Sequence, residues 1–226
     1  YADVLAMGAR QGLGPLVASY GPARIDRAVF DAVCLHLGCS FGEAMAHNLA
    51  SIDLARHGLA PDLHDFDFDG FLALPRGRPS IAARHTVGLA DAIRDADLGD
   101  ADPHDGLPAS LESAIARYGH RHFKLKLSGD THADIERLTR IAEVIDARAA
   151  LVTLDGNEQY ADVEAFSQFL DAYLTAPQLK TMAAKTAFIE QPIQRAHALE
   201  RDVRAAAARM PLLVDESDAT LDSFLQ

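Results

Sequence analysis

The chain has 226 residues, with 21 Lys plus Arg against 33 Asp plus Glu, for a formal net charge of −12 at pH 7. That sign argues against a nucleic-acid or anionic-membrane surface, both of which need clustered cations, and no apolar run approaches the ~18 residues of a membrane span. The two cysteines, Cys34 and Cys39, are too few for a disulfide framework and lack zinc-site spacing, so a reduced, cytoplasmic setting is expected.

In chain order, the stretch to about Ala60 reads as helical and rich in small residues. Ile25, Val29 and Val33 recur every four residues, which gives a helix one apolar face, and Gly38 is placed to close that helix. Pro61–Pro79 has no steady helical period and holds three prolines and two glycines, as a connection between domains would. Within it, Asp65-Phe66-Asp67-Phe68-Asp69-Gly70 imitates the start of a calcium loop, but the twelfth position is Arg76 rather than a bidentate Glu. Gly12-Leu13-Gly14 lacks the preceding strand and third glycine of a dinucleotide fingerprint and reads as a turn.

The chain then alternates. Short β-type runs fall at Ala82–Val87, His122–Leu127, Ala150–Asp155, Thr186–Glu190 and Leu212–Asp215. Between them, Thr131–Ala147 puts Ile135, Leu138, Ile141, Ala142 and Ile145 on one stripe, with Asp130 or Thr131 as N-cap. Asp162–Leu174 does the same with Val163, Phe166, Phe169, Leu170 and Tyr173, and Arg195–Met210 reads as one Ala-rich helix. Strands alternating with helices imply parallel pairing through crossovers. The fold class expected is α/β: a TIM-type (β/α) barrel, incomplete in this chain, preceded by part of an α+β capping domain. Residues 1–75 would be the helical part of the cap and the linker, and 76–226 the first five barrel strands.

The later strands each carry an ionisable residue at or near the carboxyl end: Lys124 and Lys126, then Asp155, Glu190 and Asp215. Ends of parallel barrel strands face one mouth, so charges placed there by several strands read as a catalytic ring. Lys124 and Lys126 are two apart and share a side of their strand. Taken singly, two strand lysines read as solvated side chains, and Asp155 and Asp215 as helix N-caps; together they make a hard oxygen set beside two amines. Such a set favours Mg²⁺ over zinc. A lysine acting as base needs its pKa lowered, and a neighbouring ammonium and a bound cation both push it down. His120 and His122 flank the lysine strand and are read as packing or surface residues, while His85, on the first strand, is within reach of the site but is not assigned a role.

Lys124-Leu125-Lys126, Asp155-Gly156-Asn157, Ile189-Glu190-Gln191-Pro192 and Asp215-Glu216-Ser217, in that order, resemble the enolase superfamily, specifically its muconate-lactonizing-enzyme-like and mandelate racemase members with a Lys-x-Lys motif. The resemblance runs from Ile81 to Thr220, and the helix around Asp26–Cys34 is similar to one in the family's cap. It implies Lys126 as base, Lys124 as its electrostatic helper, and Asp155, Glu190 and Asp215 as Mg²⁺ ligands. Asn157 would support the metal's surroundings and Gln191 would line the site. Sites of this superfamily pair a Lys or His base with one or two Mg²⁺ ions. The implied reaction is Mg²⁺-dependent abstraction of the proton α to the carboxylate of a small-molecule substrate. Racemisation or epimerisation is the first expectation; cycloisomerisation or dehydration through the same enediolate is the alternative, and a non-catalytic relative serving as a metal-binding or oligomeric scaffold is the reading outside catalysis. A homo-oligomer is expected, with neither nucleic acid nor membrane as partner. By family spacing the second base, a lysine on the sixth strand, falls beyond Gln226, so the sequence reads as cut at both ends, with about a hundred further residues expected. The 35 residues from Asp155 to Glu190 are long for the family, which implies an extended loop around Thr175–Lys185.

Overall fold

The pattern His-Phe-Lys-Leu-Lys at 122–126 has a strand's period of two, and its two faces meet different surroundings. In the computed structural model of the chain, which describes residues 2–54, 63, 65–74, 80–99, 105–218 and 223, Phe123 and Leu125 are buried while His122, Lys124 and Lys126 are partly open. This strand, β2 (His122–Lys126), lies in a five-stranded parallel sheet with β1 (Arg84–Val87), β3 (Leu151–Asp155), β4 (Thr186–Glu190) and β5 (Leu212–Leu213), in sequential order. A parallel sheet ordered as in the chain, with helices between its strands, is the arrangement of a (β/α) barrel arc. The register sets Lys124 against Thr153, Lys126 against Asp155, Asp155 against Glu190, and Glu190 against Leu213.

The buried face packs under two long helices, α6 (Thr131–Ile145) and α7 (Val163–Thr175). Each begins at an aspartate whose carboxylate accepts from a backbone N–H three residues on: Asp130 from Ala133 at 2.9 Å and Asp162 from Ala165 at 2.8 Å. Leu138, Ile141 and Ile145 of α6 and Phe166, Phe169, Leu170 and Tyr173 of α7 join Phe123, Leu125, Val152, Leu154 and Ile189 in one core. A helix not singled out in the sequence, α5 (Leu111–Tyr118), precedes β2; Ser110 caps it and Gly119 ends it at φ 67°.

Several expected elements differ. β1 starts at Arg84 rather than Ala82, and β5 stops at Leu213 rather than Asp215. Beyond Leu213 the backbone N–H groups of Asp215 and Ser217 donate to Gln191 Oε1 instead of a neighbouring strand. The extended loop expected at Thr175–Lys185 is folded: a 3₁₀ turn, Pro177–Leu179, leads into α8 (Lys180–Lys185), with Leu179 and Met182 buried. The long separation between Asp155 and Glu190 is therefore taken up by an added helical turn with apolar anchors of its own. The single helix expected at Arg195–Met210 is two short ones, α9 (Arg195–Ala198) and α10 (Arg204–Ala207). Asp202 breaks it, since its carboxylate accepts from both the backbone N–H and the guanidinium of Arg204.

The chain divides into two compact units, Tyr1–Arg78 and Pro79–Gln226. In the first, α1 (Ala2–Arg10) and α2 (Pro15–Leu37) approach so closely that a side chain on Gly8 would collide with Ala18 Cβ. Gly38 ends α2 at φ 65°. α3 (Phe41–Ala46) opens with a reciprocal cap between Ser40 and Glu43, and α4 (Phe68–Leu72) is capped by Asp67. The apolar face read from Ile25 and Val29 is not buried within this unit; the two residues are 66% and 58% exposed. Within the Pro61–Pro79 connection, residues 61, 62, 64 and 75–79, Arg76 among them, lie outside the described residues. Among the described residues no helix is long and apolar enough to cross a membrane.

Phe169 is fully buried between Tyr160 and Tyr173, with ring centroids 5.3 and 5.7 Å away. Replacing it with alanine is expected to cost about 3–5 kcal/mol, read as a lower denaturation midpoint in urea at unchanged slope; a loss below about 1 kcal/mol would contradict this core.

Candidate active site

The open face of β2 delivers two ammonium groups to the carboxyl ends of β3 and β4. Lys124 Nζ lies 2.7 Å from Asp155 Oδ2 and 2.7 Å from Glu190 Oε1. Lys126 Nζ lies 2.6 Å from the same Asp155 Oδ2 and also donates to Asn157 Oδ1. Asp155 is fully buried and the two lysine side chains are 14% and 25% exposed, so neither tip points to bulk solvent. A carboxylate this deep is tolerable only when paired, and both lysines pair it.

The loops that follow these strands are pressed together. A side chain on Gly156 would meet Pro192 Cα at 2.6 Å, so a residue with Cβ does not fit there without movement. Backbone bonds stitch the same loops: Gly156 N–H to Glu190 O, Glu158 N–H to Gln191 O and Tyr160 N–H to Pro192 O. Asn157, Glu158 and Gln191 take φ values of 39°, 67° and 33°, in the left-handed region that costs a residue with a side chain about 1 kcal/mol or more. Asn157 is held three ways. Its N–H donates to Asp155 Oδ1 at 2.9 Å, its Nδ2 donates to Glu216 Oε1 at 2.8 Å, and its Oδ1 accepts from Lys126. The Gln191 side chain is buried: Oε1 accepts from the N–H groups of Asp215 and Ser217, and Nε2 donates to Ile193 O and Ser217 Oγ. Its amide thus shapes the turn after β5.

Electrostatics follow from these contacts. Burial pulls the Lys124 pKa down, but hydrogen bonds and charge from Asp155 and Glu190 outweigh it, and the net shift is upward. The two carboxylates thus set the direction at Lys124, whose proton is held more tightly than on a free lysine. Burial raises the Asp155 pKa, and hydrogen bonds from Lys124, Lys126 and the Asn157 N–H more than offset it, leaving the group below the usual carboxylate range. Asp215 goes the other way: burial, then the negative charges of Glu216 and Glu190, hold it above the ordinary value.

The three expected metal ligands thus stand at neighbouring strand ends, but among the described residues no three Asp, Glu, His or Cys side chains converge closely enough to hold a metal ion. Lys124 lies between Asp155 and Glu190, while Asp215 is exposed past the end of β5. The donor chemistry nevertheless suits a hard divalent cation. Asp155, Glu190, Asp215 and Glu216 offer only oxygens and outnumber the two ammonium groups. Glu216 Oε2 is buried without a hydrogen-bond partner, a polar atom that a cation or its water could satisfy. Reading by strand ends overlooked Glu216, although it sits in the Asp-Glu-Ser motif, and Arg84, whose Nη1 donates to Thr153 Oγ1 at 3.3 Å on the open face.

A family model described as enolase C-terminal domain-like matches residues 106–226. No curated protein is similar enough to match the chain. Among solved structures, the chain is similar to the dipeptide epimerase from Methylococcus capsulatus complexed with Mg ion, at 27% identity and a TM-score of 0.40, over 61% of this chain and 33% of that one. It is also similar to a mandelate racemase/muconate lactonizing protein from Herpetosiphon aurantiacus, at 26% identity and a TM-score of 0.41, over 51% of this chain and 30% of that one. For the muconate cycloisomerase from Pseudomonas fluorescens the values are 23% and 0.33, over 47% and 27%. The matched part is thus about a third or less of each of these structures in length. With more than half of its residues matched by the family model, the chain belongs to the enolase C-terminal domain-like family.

Proposed function

We propose that this chain supplies one wall of the active site of a Mg²⁺-dependent enzyme that abstracts the proton α to a small-molecule carboxylate, as a racemase or epimerase. The observation that carries this reading is the junction of two lysines of one strand with the carboxylates of the next two strands, all within 2.6–2.7 Å. Asp155, Glu190 and Asp215 would hold the cation, and Glu216 stands next to them. When bound, the cation supplies positive charge beside the substrate carboxylate and lowers the cost of the negative charge that develops as the α-proton leaves.

The two lysines differ in their surroundings, which supports different roles. Lys124 is gripped by two carboxylates and its proton is held tightly, as suits a fixed positive charge. Lys126 shares one of those carboxylates and otherwise meets the neutral amide oxygen of Asn157. It also stands one pleat nearer the carboxyl end of β2, where a substrate in the mouth would lie. Lys126 is therefore assigned as the base and Lys124 as the group that stabilises developing charge.

Three outcomes test this. Racemic or epimerisable carboxylates, such as dipeptides and α-hydroxy acids, incubated with the intact protein and Mg²⁺ in deuterium oxide should gain α-deuterium in recovered substrate, and Lys126→Ala should cut that rate by at least about a hundredfold. Label gained equally fast with the variant would remove Lys126 as base. Mg²⁺ binding followed by calorimetry should weaken about tenfold or more for Glu190→Gln; an unchanged affinity would sink the ligand assignment. The charge cluster also carries a pH signature. Asp155, with its folded pKa below the ordinary ~3.8, contributes stability that is present above that value and lost as pH falls through the folded one. Lys124, raised above ~10.5, contributes stability that is present below that value and lost as pH rises through the folded one. The urea midpoint difference between the parent chain and Asp155→Asn should accordingly shrink as pH drops below about 4, and a difference that stays constant from pH 7 to pH 3 would contradict the pairing.

A further inference from the structure

Asp134 lies in the first turn of α6, is 2% exposed, and takes no part in the contacts described above. Its carboxylate accepts four hydrogen bonds, all from neutral donors. Oδ1 takes the Ser128 N–H at 2.7 Å and Ser128 Oγ at 2.8 Å. Oδ2 takes the Gly129 N–H at 3.1 Å and the Tyr160 hydroxyl at 2.8 Å. Three of these bonds hold the loop after β2; the fourth reaches the loop after β3. Those loops touch at Gly129, where φ is 84° and an added Cβ would stand 2.5 Å from Gln159 O. Tyr160 is itself buried, and burial followed by the Asp134 charge drives its hydroxyl pKa far upward, so it stays a donor.

We propose that Asp134, acting with Tyr160, is a positioning residue that fixes the distance between Lys126 and Asn157. The inference rests on the functional reading above. Ser128 is two residues past Lys126, and Tyr160 is three past Asn157. One planar carboxylate spanning both loops therefore sets how far the end of β2 stands from the left-handed turn that presents Asn157 Oδ1 to the Lys126 ammonium. A buried carboxylate hydrogen-bonded only by neutral donors, with Arg137 acting on it through charge alone, is a costly means of joining two loops that Gly129 already brings together. The geometry that it secures, four directed bonds from one rigid group, is what an apolar contact could not supply. An asparagine at 134 would turn an –NH₂ toward either the Ser128 or the Gly129–Tyr160 donors, so a donor would face donors whichever way the amide lay.

Tyr160→Phe removes only the inter-loop bond and keeps the ring, so it is the primary variant; Asp134→Asn is the stronger one. Tyr173→Phe is the control, since Tyr173 is a buried tyrosine whose hydroxyl pairs with Thr186 Oγ1 at 2.8 Å, outside both loops. For Tyr160→Phe in the intact protein, the Asn157 side-chain amide resonances should shift and broaden, and kcat for α-deuterium exchange should fall about tenfold with KM within about twofold. The control should lower Tm by a similar 2–8 °C or so and leave the Asn157 resonances and kcat in place. If Tyr160→Phe lowers Tm but leaves both the Asn157 amide and kcat at their parent values, Asp134 is a stability residue only and the proposal is overturned. The amide resonances are read without metal or substrate. A parent protein that exchanges no deuterium would therefore refute the reaction, while the Asn157 resonances of Tyr160→Phe still decide the positioning claim.

Discussion

The structure depends on one buried anion. Asp155 has no solvent to stabilise it, and a carboxylate at such depth costs several kcal/mol unless opposite charge and hydrogen bonds surround it. What meets that cost is register. Setting Lys126 opposite Asp155, and Asp155 opposite Glu190, brings both ammonium groups onto one oxygen and lets Lys124 bridge to the next strand. A slip of one residue between β2 and β3 would send Lys124 and Lys126 to the helix-covered face and turn Phe123 and Leu125 toward the open one. Apolar packing on one face and charge pairing on the other therefore specify the same register, which is the agreement between levels that gives a chain one native arrangement.

That agreement explains which parts could be read from the sequence. The strands around 122–126, 151–155 and 186–190 announce themselves because one face must be apolar, and α6 and α7 because their stripes and N-cap aspartates are local signals. The division of Arg195–Met210 into two helices could not be seen, because the Ala-rich composition favours a helix and only the Asp202–Arg204 pairing competes with it. The fold of Thr175–Lys185 was missed for a related reason: its anchors, Leu179 and Met182, are too few to show a period, and their burial depends on the sheet beneath. In the site, parity and strand ends picked out Lys124, Lys126, Asp155 and Glu190. Sequence could not tell that the lysines and carboxylates would be in direct contact. At Lys124 that contact sets the direction of the shift, because two adjacent carboxylates outweigh burial. Asp134 and Tyr160, 26 residues apart, carried no local signal at all.

Local geometry at the mouth is costly in a consistent way. Asn157, Glu158 and Gln191 all adopt left-handed backbone, and Gly156 and Gly129 lie where another loop leaves no room for Cβ. Each of these costs stability, and each faces the carboxyl ends of the strands, the end of a barrel where loops build the site. Compression between the β3 and β4 loops keeps Asn157 and Gln191 in conformations they would not hold alone. The Gln191 amide then carries the constraint on to Asp215 and Ser217. Backbone strain and side-chain hydrogen bonding thus extend one rigid frame across three strand ends.

Charge within that frame is unbalanced by design of the sequence rather than by accident of exposure. Two ammonium groups face four carboxylates at Asp155, Glu190, Asp215 and Glu216, and the imbalance grows from β3 toward β5. Asp155 is held below the usual carboxylate range, whereas Asp215 is held above it, first by burial and then by the charges of Glu216 and Glu190. Along that gradient the lysine end is neutralised by direct ion pairs, whereas at the β5 end Glu216 feels the charge of Arg195 and keeps a buried Oε2 without a hydrogen-bond partner. On the proposed reading, a cation would settle on the β5 side and a substrate carboxylate between it and the β2 lysines. Such a path would leave Lys126, the amine nearest the carboxyl end of its strand, beside the substrate's α-carbon, with Lys124 behind it held in place by its two anions.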